Sequence, residues 1–231
     1  MHKIIVFDLD GTLAPVGLGT TPDNVKKLKE LENIGYTIAI CSGKPSYYLC
    51  GFMRQLELDS PILIGENGAT IQFGTALPPQ KYLVHPHSAE AKKQIKDMKE
   101  RIDSLLGDQI WYQPNQVGLT PFPNCEEHFD VISKLIEENT EQLGELLIYR
   151  HCDSFDFSPK NISKFTGLEL LSKELGVSAS DFIAVGDGIN DVPMFDFSDV
   201  SIVIGDKLKY DPDLRFATID EALDHLLTSR I

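Results

Sequence analysis

The sequence has no run of about 18 apolar residues, which argues against a membrane-spanning helix. Its N-terminal stretch MHKIIVF breaks at Asp8, too early for a secretory leader. Cysteine is sparse: Cys41, Cys50, Cys125 and Cys152 form no CxxC pair. That spacing makes no disulfide framework and predicts reduced thiols in a cytoplasmic protein. HExxH does not occur, and His85 and His87 have no cysteine near them, so a zinc site is not expected. Basic residues are few, with 21 Lys and Arg against 35 Asp and Glu for a net charge of −14. With no dense Lys/Arg run, nucleic acid is not an expected partner. The chain also lacks GxGxxG after a strand, GxxxxGK[ST] and GxSxG, so three common enzyme signatures are missing.

What is present begins at Ile4–Thr12, IIVFDLDGT. Four apolar residues with β-branched content read as a buried parallel strand. Asp8 and Asp10 then stand at its carboxyl end, where open α/β sheets bind ligands. Gly11 lets the chain turn there. An ordinary Asp-Gly turn would look the same locally, so later loops must decide. Thr21 reads as an N-cap with Pro22 at the first helical position. Val25, Leu28, Leu31 and Ile34 form a helical stripe that Gly35 closes. A strand at Tyr36–Cys41 ends in Ser42-Gly43-Lys44-Pro45, a helix runs from Pro45 to about Leu56, and Ile62–Ile64 is a third strand. This spacing predicts parallel βαβ units.

The rhythm then changes. Asn67-Gly68 signals a hairpin leading to a strand at Ala69–Phe73, and Leu77–Gln80 reads as a linker or strand edge. Ser88–Leu106 is an amphipathic helix with Ile95, Met98, Ile102 and Leu105 on one side. Strands are expected at Gln109–Gln113 and Gln116–Thr120, a helix at Glu126–Asn139, and strands at Glu145–Arg150 and Ser154–Ser158. Trp111 and Tyr112 are expected to pack in the core of this region. The order α-β-β-α-β-β marks 83–157 as a small α+β domain inserted between two core segments, 1–82 and 158–231. A continuous domain with an antiparallel extension is the alternative. Beyond it, Ser163 caps a helix that holds Lys164 in its first turn, Leu168, Leu171 and Leu175 behind, and Gly176 at its end. A buried strand, Phe182–Val185, runs into Gly186-Asp187-Gly188-Ile189-Asn190-Asp191. A short helix at Val192–Phe195, strands at Val200–Ile204 and Phe216–Thr218, and a helix at Asp220–Thr228 complete the chain. The fold class expected is α/β: a Rossmann-like parallel sheet core carrying an inserted α+β domain.

Four segments, DLDGT, CSGK, the Ser163-Lys164 helix start and GDGIND, therefore fall at strand ends or at a helix start. They supply the carboxylates of Asp8, Asp10, Asp187 and Asp191, the Ser42 hydroxyl, the Asn190 amide and the Lys164 ammonium. Carboxylates gathered at one edge repel each other unless a cation joins them, and oxygen ligands select a hard ion such as Mg²⁺. Ser42, the Gly43 N–H and Lys164 are donors suited to a phosphate. Lys164 is preferred to Lys160 because it begins a helix and precedes an apolar stripe. Cys41 is expected to pack as a small hydrophobe. Glu66-Asn67 stands as either a substrate contact or a plain turn. His85, His87, His128 and His151 receive no role.

Taken in order, these four motifs resemble the haloacid dehalogenase superfamily of phosphohydrolases. The matching core covers about two thirds of the chain. The insert resembles the type II, subtype B cap of Cof-like and archaeal-type phosphoglycolate phosphatases, which sits over the active site and selects the substrate. The resemblance implies that Asp8 is the nucleophile and forms an aspartyl-phosphate. It implies that Asp10 is the general acid/base and offers its backbone carbonyl to the metal. Asp187 and Asp191 would hold Mg²⁺, directly or through water. Ser42, Gly43 and Lys164 would bind the phosphoryl group, and Asn190 would help orient it. The implied activity is Mg²⁺-dependent hydrolysis of a small soluble phosphate monoester, phosphoglycolate or a sugar phosphate. A phosphomutase of the phosphomannomutase type shares this plan but needs basic residues in the cap. Between 83 and 157 the arginines are Arg101 and Arg150. A non-catalytic binding module would lack a nucleophile or metal ligand, and none is missing. Family members often carry Arg where Lys44 stands.

Overall fold

The computed structural model describes residues 3–229. Met1 and His2, part of the run read above for a leader, and the last two residues of the second core segment lie outside the described residues. Contacts divide the chain into two units, Met1–His85 with Ser163–Ile231, and Pro86–Ile162. No described helix is long and apolar enough to cross a membrane.

The first unit is built on one eight-stranded sheet. From one edge to the other its strands are β12 (Leu214–Phe216), β11 (Val200–Ile204), β10 (Phe182–Gly186), β1 (Ile4–Phe7), β2 (Thr37–Cys41), β3 (Ile62–Gly65), β4 (Thr70–Phe73) and β5 (Lys81–Val84). The pairings from β12 to β3 are parallel, and β4 and β5 add antiparallel. Side chains alternate across a strand, so each strand feeds two cores. Ile5, Phe7, Ile38, Ile40, Ile183 and Val185 face α1 (Pro22–Asn33), α2 (Ser46–Arg54) and α7 (Ile219–Ser229). Ile4, Val6, Ala39, Cys41, Phe182 and Ala184 face α5 (Lys164–Leu175) and α6 (Val192–Phe197). Burial on both faces explains why these strands read as unbroken apolar runs.

Local signals set the helix ends. The Thr21 hydroxyl accepts the Asn24 N–H at 3.2 Å, and Pro22 opens α1. Ser163 caps α5 through a reciprocal pair with Thr166, and Gly176 ends it with φ of 68°. The connection from β3 to β4 is a tight turn, Glu66–Gly68, with positive φ at all three residues. That turn crosses the start of α5 at very close range. A Cβ added to Gly167 would lie 2.5 Å from the Gly68 Cα. Two glycines therefore let α5 rest directly on the loop.

The second unit carries α3 (Ala89–Leu106) and α4 (Glu126–Glu138) with two antiparallel pairs. These are β6 (Ile110–Gln113) with β7 (Thr120–Pro123), and β8 (Leu146–Arg150) with β9 (Phe155–Pro159). Met98, Ile102, Leu106, Phe129, Ile132, Phe155 and Phe157 form its core.

Five sequence expectations are corrected here. Trp111 is 57% exposed and leans on Phe122 with ring centroids 5.1 Å apart. Neighbouring strand residues point to opposite faces, so Trp111 and Tyr112 cannot both be core. Tyr112 is the inward one, and its hydroxyl donates to Asp103 Oδ1 at 2.7 Å. On α3, Leu106 is buried and Leu105 is 59% exposed. Positions three and four beyond Ile102 both satisfy helical periodicity, and the local rotation picks the fourth. Strand β7 begins at Thr120, where the expectation placed a strand ending, because Gln113 pairs with Thr120 and fixes the register. Strand β12 (Leu214–Phe216) likewise ends at Phe216, the residue at which a strand was expected to start. Strand β5 was not anticipated at all: it follows two prolines and gains its identity only by pairing with β4.

The glycine crossing predicts a sign. Gly→Ala inside a helix ordinarily stabilises by about 1 kcal/mol. At Gly167 the added methyl meets backbone, and overpacking costs about 1–3 kcal/mol. Gly167→Ala should therefore lower the urea midpoint with the slope unchanged; a raised midpoint would show that the turn yields freely.

Candidate active site

Strand parity aims the first carboxylate. Ile4, Val6 and Asp8 share a face, the one that α5 covers. The Asp8 N–H donates to Val185 O at 2.9 Å, which continues the β1–β10 pairing one residue past the strand. Lys164 opens α5 and is 1% exposed. Its ammonium donates to Asp8 Oδ1 at 2.6 Å and to Asp191 Oδ1 at 2.7 Å. Asp191 is fully buried, and its Oδ2 accepts the N–H groups of Asp187 and Gly188, each at 2.9 Å. The Thr12 hydroxyl donates to Asp187 Oδ1 at 2.8 Å. Asp8, Asp187 and Asp191 each place a carboxylate oxygen within 4.8 Å of the others. Gly11, with φ of 95°, permits this approach: a Cβ there would sit 2.6 Å from Asp187 Oδ2.

The electrostatics follow from crowding. Burial pushes the Asp8 carboxyl up, to about 7, against the pull of Lys164; Asp191 and Asp187 push the same way as burial. Burial also raises Asp187, opposed by its bond from Thr12. Burial alone would lower the Lys164 ammonium, but Asp8 and Asp191 outweigh it and hold it above its ordinary range. Three carboxylates face one ammonium, so ionising all three leaves excess negative charge in a buried place. An all-oxygen donor set with that excess fits a hard divalent cation. Asp191 already accepts from three donors, so Asp8 and Asp187 are the carboxylates best placed to hold such an ion directly.

The other expected residues divide. Ser42 is buried just past β2; its Oγ accepts the Lys44 N–H at 3.3 Å and its carbonyl accepts the Asn67 N–H at 2.9 Å. Gly43 lies against the Asn67 amide. The Asp10 carboxylate stands outside the buried trio. Its Oδ1 accepts the Gly17 N–H at 3.2 Å, and its Oδ2 faces Lys44 Nζ at 3.7 Å. Asn190 is exposed on the loop that carries Asp187 and Asp191. Lys160 is exposed and belongs to the second unit. The Cys41 thiol is buried and pushed up to about 12 by that burial, so it packs as a hydrophobe. In the second unit the Arg150 guanidinium lies 5.2 Å over the Phe129 ring and 3.4 Å from Glu126, and Arg101 is exposed. Sequence reasoning gave no role to Thr12, although its hydroxyl sits in DLDGT, and did not foresee the Lys44–Asp10 pair or the Gly68–Gly167 crossing.

A family model described as haloacid dehalogenase-like hydrolase matches residues 5–122 and 112–209. A phosphoglycolate phosphatase of Nitrosopumilus maritimus (strain SCM1) is 24% identical, over 88% of this chain and 83% of its own length. A Streptococcus pyogenes protein named as a bifunctional phosphatase and peptidyl-prolyl cis-trans isomerase is also 24% identical over 88% of this chain, which spans only 47% of that longer protein. Among solved structures, a haloacid dehalogenase-like hydrolase from Bacteroides thetaiotaomicron superposes with a TM-score of 0.81 at 16% identity, covering 98% of this chain and 100% of its own.

The raised Asp8 carboxyl has a consequence for stability. The folded protein holds this proton to about 7, whereas an ordinary carboxyl releases it near 3.8. Between those values the folded state binds more protons than the unfolded chain, so this group's contribution to stability falls as pH rises. In metal-free protein, the unfolding free energy of wild type minus that of Asp8→Asn should fall from about pH 4 to about pH 7. Added Mg²⁺ should reverse the fall by favouring the ionised carboxylates. A difference independent of both pH and Mg²⁺ would refute the crowding argument.

Proposed function

The chain belongs to the haloacid dehalogenase-like hydrolases and is a phosphatase of that family, and from this premise we propose that it hydrolyses a small phosphate monoester with Mg²⁺ through an aspartyl-phosphate on Asp8. The observation that carries the reading is the Lys164 ammonium held between Asp8 and Asp191, with Asp187 beside them. Lys164 fixes one oxygen of Asp8. It also adds positive charge where the phosphoryl oxygens would sit.

In the first step an Asp8 oxygen attacks phosphorus and the ester P–O bond breaks. The bonding pair goes to the leaving oxygen, which takes the proton of the Asp10 carboxyl. In the second step the Asp10 carboxylate takes a proton from water, the water oxygen attacks phosphorus, and the P–O bond to Asp8 breaks. Phosphate and the Asp8 carboxylate are regenerated, so protons and electron pairs balance. Ser42 and the Gly43 N–H, with Lys164, hold the phosphoryl oxygens. Asp8 and Asp187 would hold Mg²⁺, joined by the Asp10 carbonyl, while Asp191 keeps Lys164 and the loop in place. When bound, the cation supplies further neutralisation of the charge on the transferring group. Asn190, exposed at the rim, would reach the bound phosphate.

The substrate class is a soluble organophosphate such as phosphoglycolate or a sugar phosphate, the former supported by the phosphatase relative. Net charge of −14 disfavours a polyanionic substrate. In the second unit, Arg150, one of the two arginines considered for a second phosphate, is engaged with Phe129 and Glu126. That favours hydrolysis over mutase chemistry.

The test is phosphate release from a panel of phosphoglycolate and sugar phosphates. Asp8→Asn should lower turnover at least about a thousandfold. Chelation should abolish wild-type activity and Mg²⁺ restore it. Full turnover by Asp8→Asn would overturn the assignment.

A further inference from the structure

We infer that Lys44 is a positioning residue for proton transfer, holding the Asp10 carboxyl on the leaving-group side of the site together with the Gly17 N–H. The inference rests on the phosphatase reading above. Its basis is how Asp10 is held. Asp10 does not join Asp8, Asp187 and Asp191 around Lys164. Instead its two oxygens have separate anchors from two loops. Gly17, on the loop after β1, donates its N–H to Oδ1 at 3.2 Å. Lys44, on the loop after β2, brings Nζ to 3.7 Å from Oδ2. A carboxyl with a partner on each oxygen has little freedom to rotate, and proton transfer depends on that geometry.

Lys44 is itself steadied from two sides. Its own N–H donates to the Ser42 Oγ at 3.3 Å, which fixes the backbone of the turn. Its ammonium lies 6.0 Å from the centre of the Tyr48 ring, within range of a cation–π attraction. Lys164 cannot take this part, because its ammonium is committed to Asp8 and Asp191. The Lys44 side chain is 34% exposed and that of Asp10 is 23% exposed, so both remain open to solvent. An ion pair this open contributes little to folding. Its loss should therefore appear in the reaction and not in the unfolding midpoint.

The dependence on leaving group isolates the role. A sugar phosphate releases an alkoxide that must be protonated as the P–O bond breaks. p-Nitrophenyl phosphate releases a phenolate that needs little such help. The ratio kcat/KM reports steps up to formation of the aspartyl-phosphate, so later hydrolysis does not enter. Lys44→Met and Lys44→Arg should be assayed in the full chain on both esters, with Asp10→Asn as reference. Lys44→Met is expected to lose at least about tenfold on the sugar phosphate and less than about threefold on the aryl ester. Lys44→Arg should recover most of the loss, and the urea midpoint of either variant should match wild type. Equal losses on both esters, no recovery with Arg, or a midpoint that falls with activity would each overturn this inference alone. Wild-type protein that turns over neither ester would overturn the phosphatase reading and this inference with it.

Discussion

A single ammonium, that of Lys164, stands between two buried carboxylates with a third close by. Removing charges from water is costly, and a buried ion pair returns that cost only when geometry and hydrogen bonds are complete. Here they are: Asp191 takes three donors, Asp8 is fixed by Lys164 and by its own backbone bond to Val185, and Asp187 is held by Thr12. Such a cluster is poor material for stability compared with apolar packing of the same volume. It is good material for a reaction that moves a phosphoryl group, where preset charge and position carry most of the catalysis.

The sheet delivers these groups to one place from three distant segments of the chain, Asp8–Thr12, Lys164 and Asp187–Asp191. Asp8 and Lys164 are separated by 156 positions, and Asp187 and Thr12 by 175. Three parallel neighbours, β10, β1 and β2, end on the same edge, so the loops beyond them share it. Parity then selects the face: the residues that point with Val6 meet α5, and those that point with Phe7 meet α1 and α2. The helix that brings Lys164 is seated by the contact between Gly68 and Gly167.

Much of this was legible in the sequence because the signals are local. An apolar run ending in Asp8, Thr21 before Pro22, Ser163 before Lys164 and Gly176 after Leu175 each report short-range chemistry. The difference between Lys164 and Lys160 was readable for the same reason: one begins a capped helix. What escaped depends on partners distant in the chain. Strand β5 exists because β4 offers an edge, and the register of β7 is set across the hairpin by Gln113. Trp111 was misjudged because hydrophobicity outweighed the two-residue alternation of its strand. Composition carries no trace of the Gly68–Gly167 contact, and spacing alone does not reveal that Lys44 turns toward Asp10.

The second unit is tied off at its neck. Asn161 donates its side-chain N–H to the carbonyl of Pro86 at 2.7 Å, so the points where the chain enters and leaves this unit are adjacent. Closing such a gap with a short loop costs little chain entropy. The unit is therefore a cassette: evolution can lengthen, shrink or trade it whole while the eight-stranded sheet keeps its register, much as a tool head is changed on an unaltered handle. Diversity among relatives built on this plan is then expected to accumulate between Pro86 and Ile162 faster than along β1, β2 and β10.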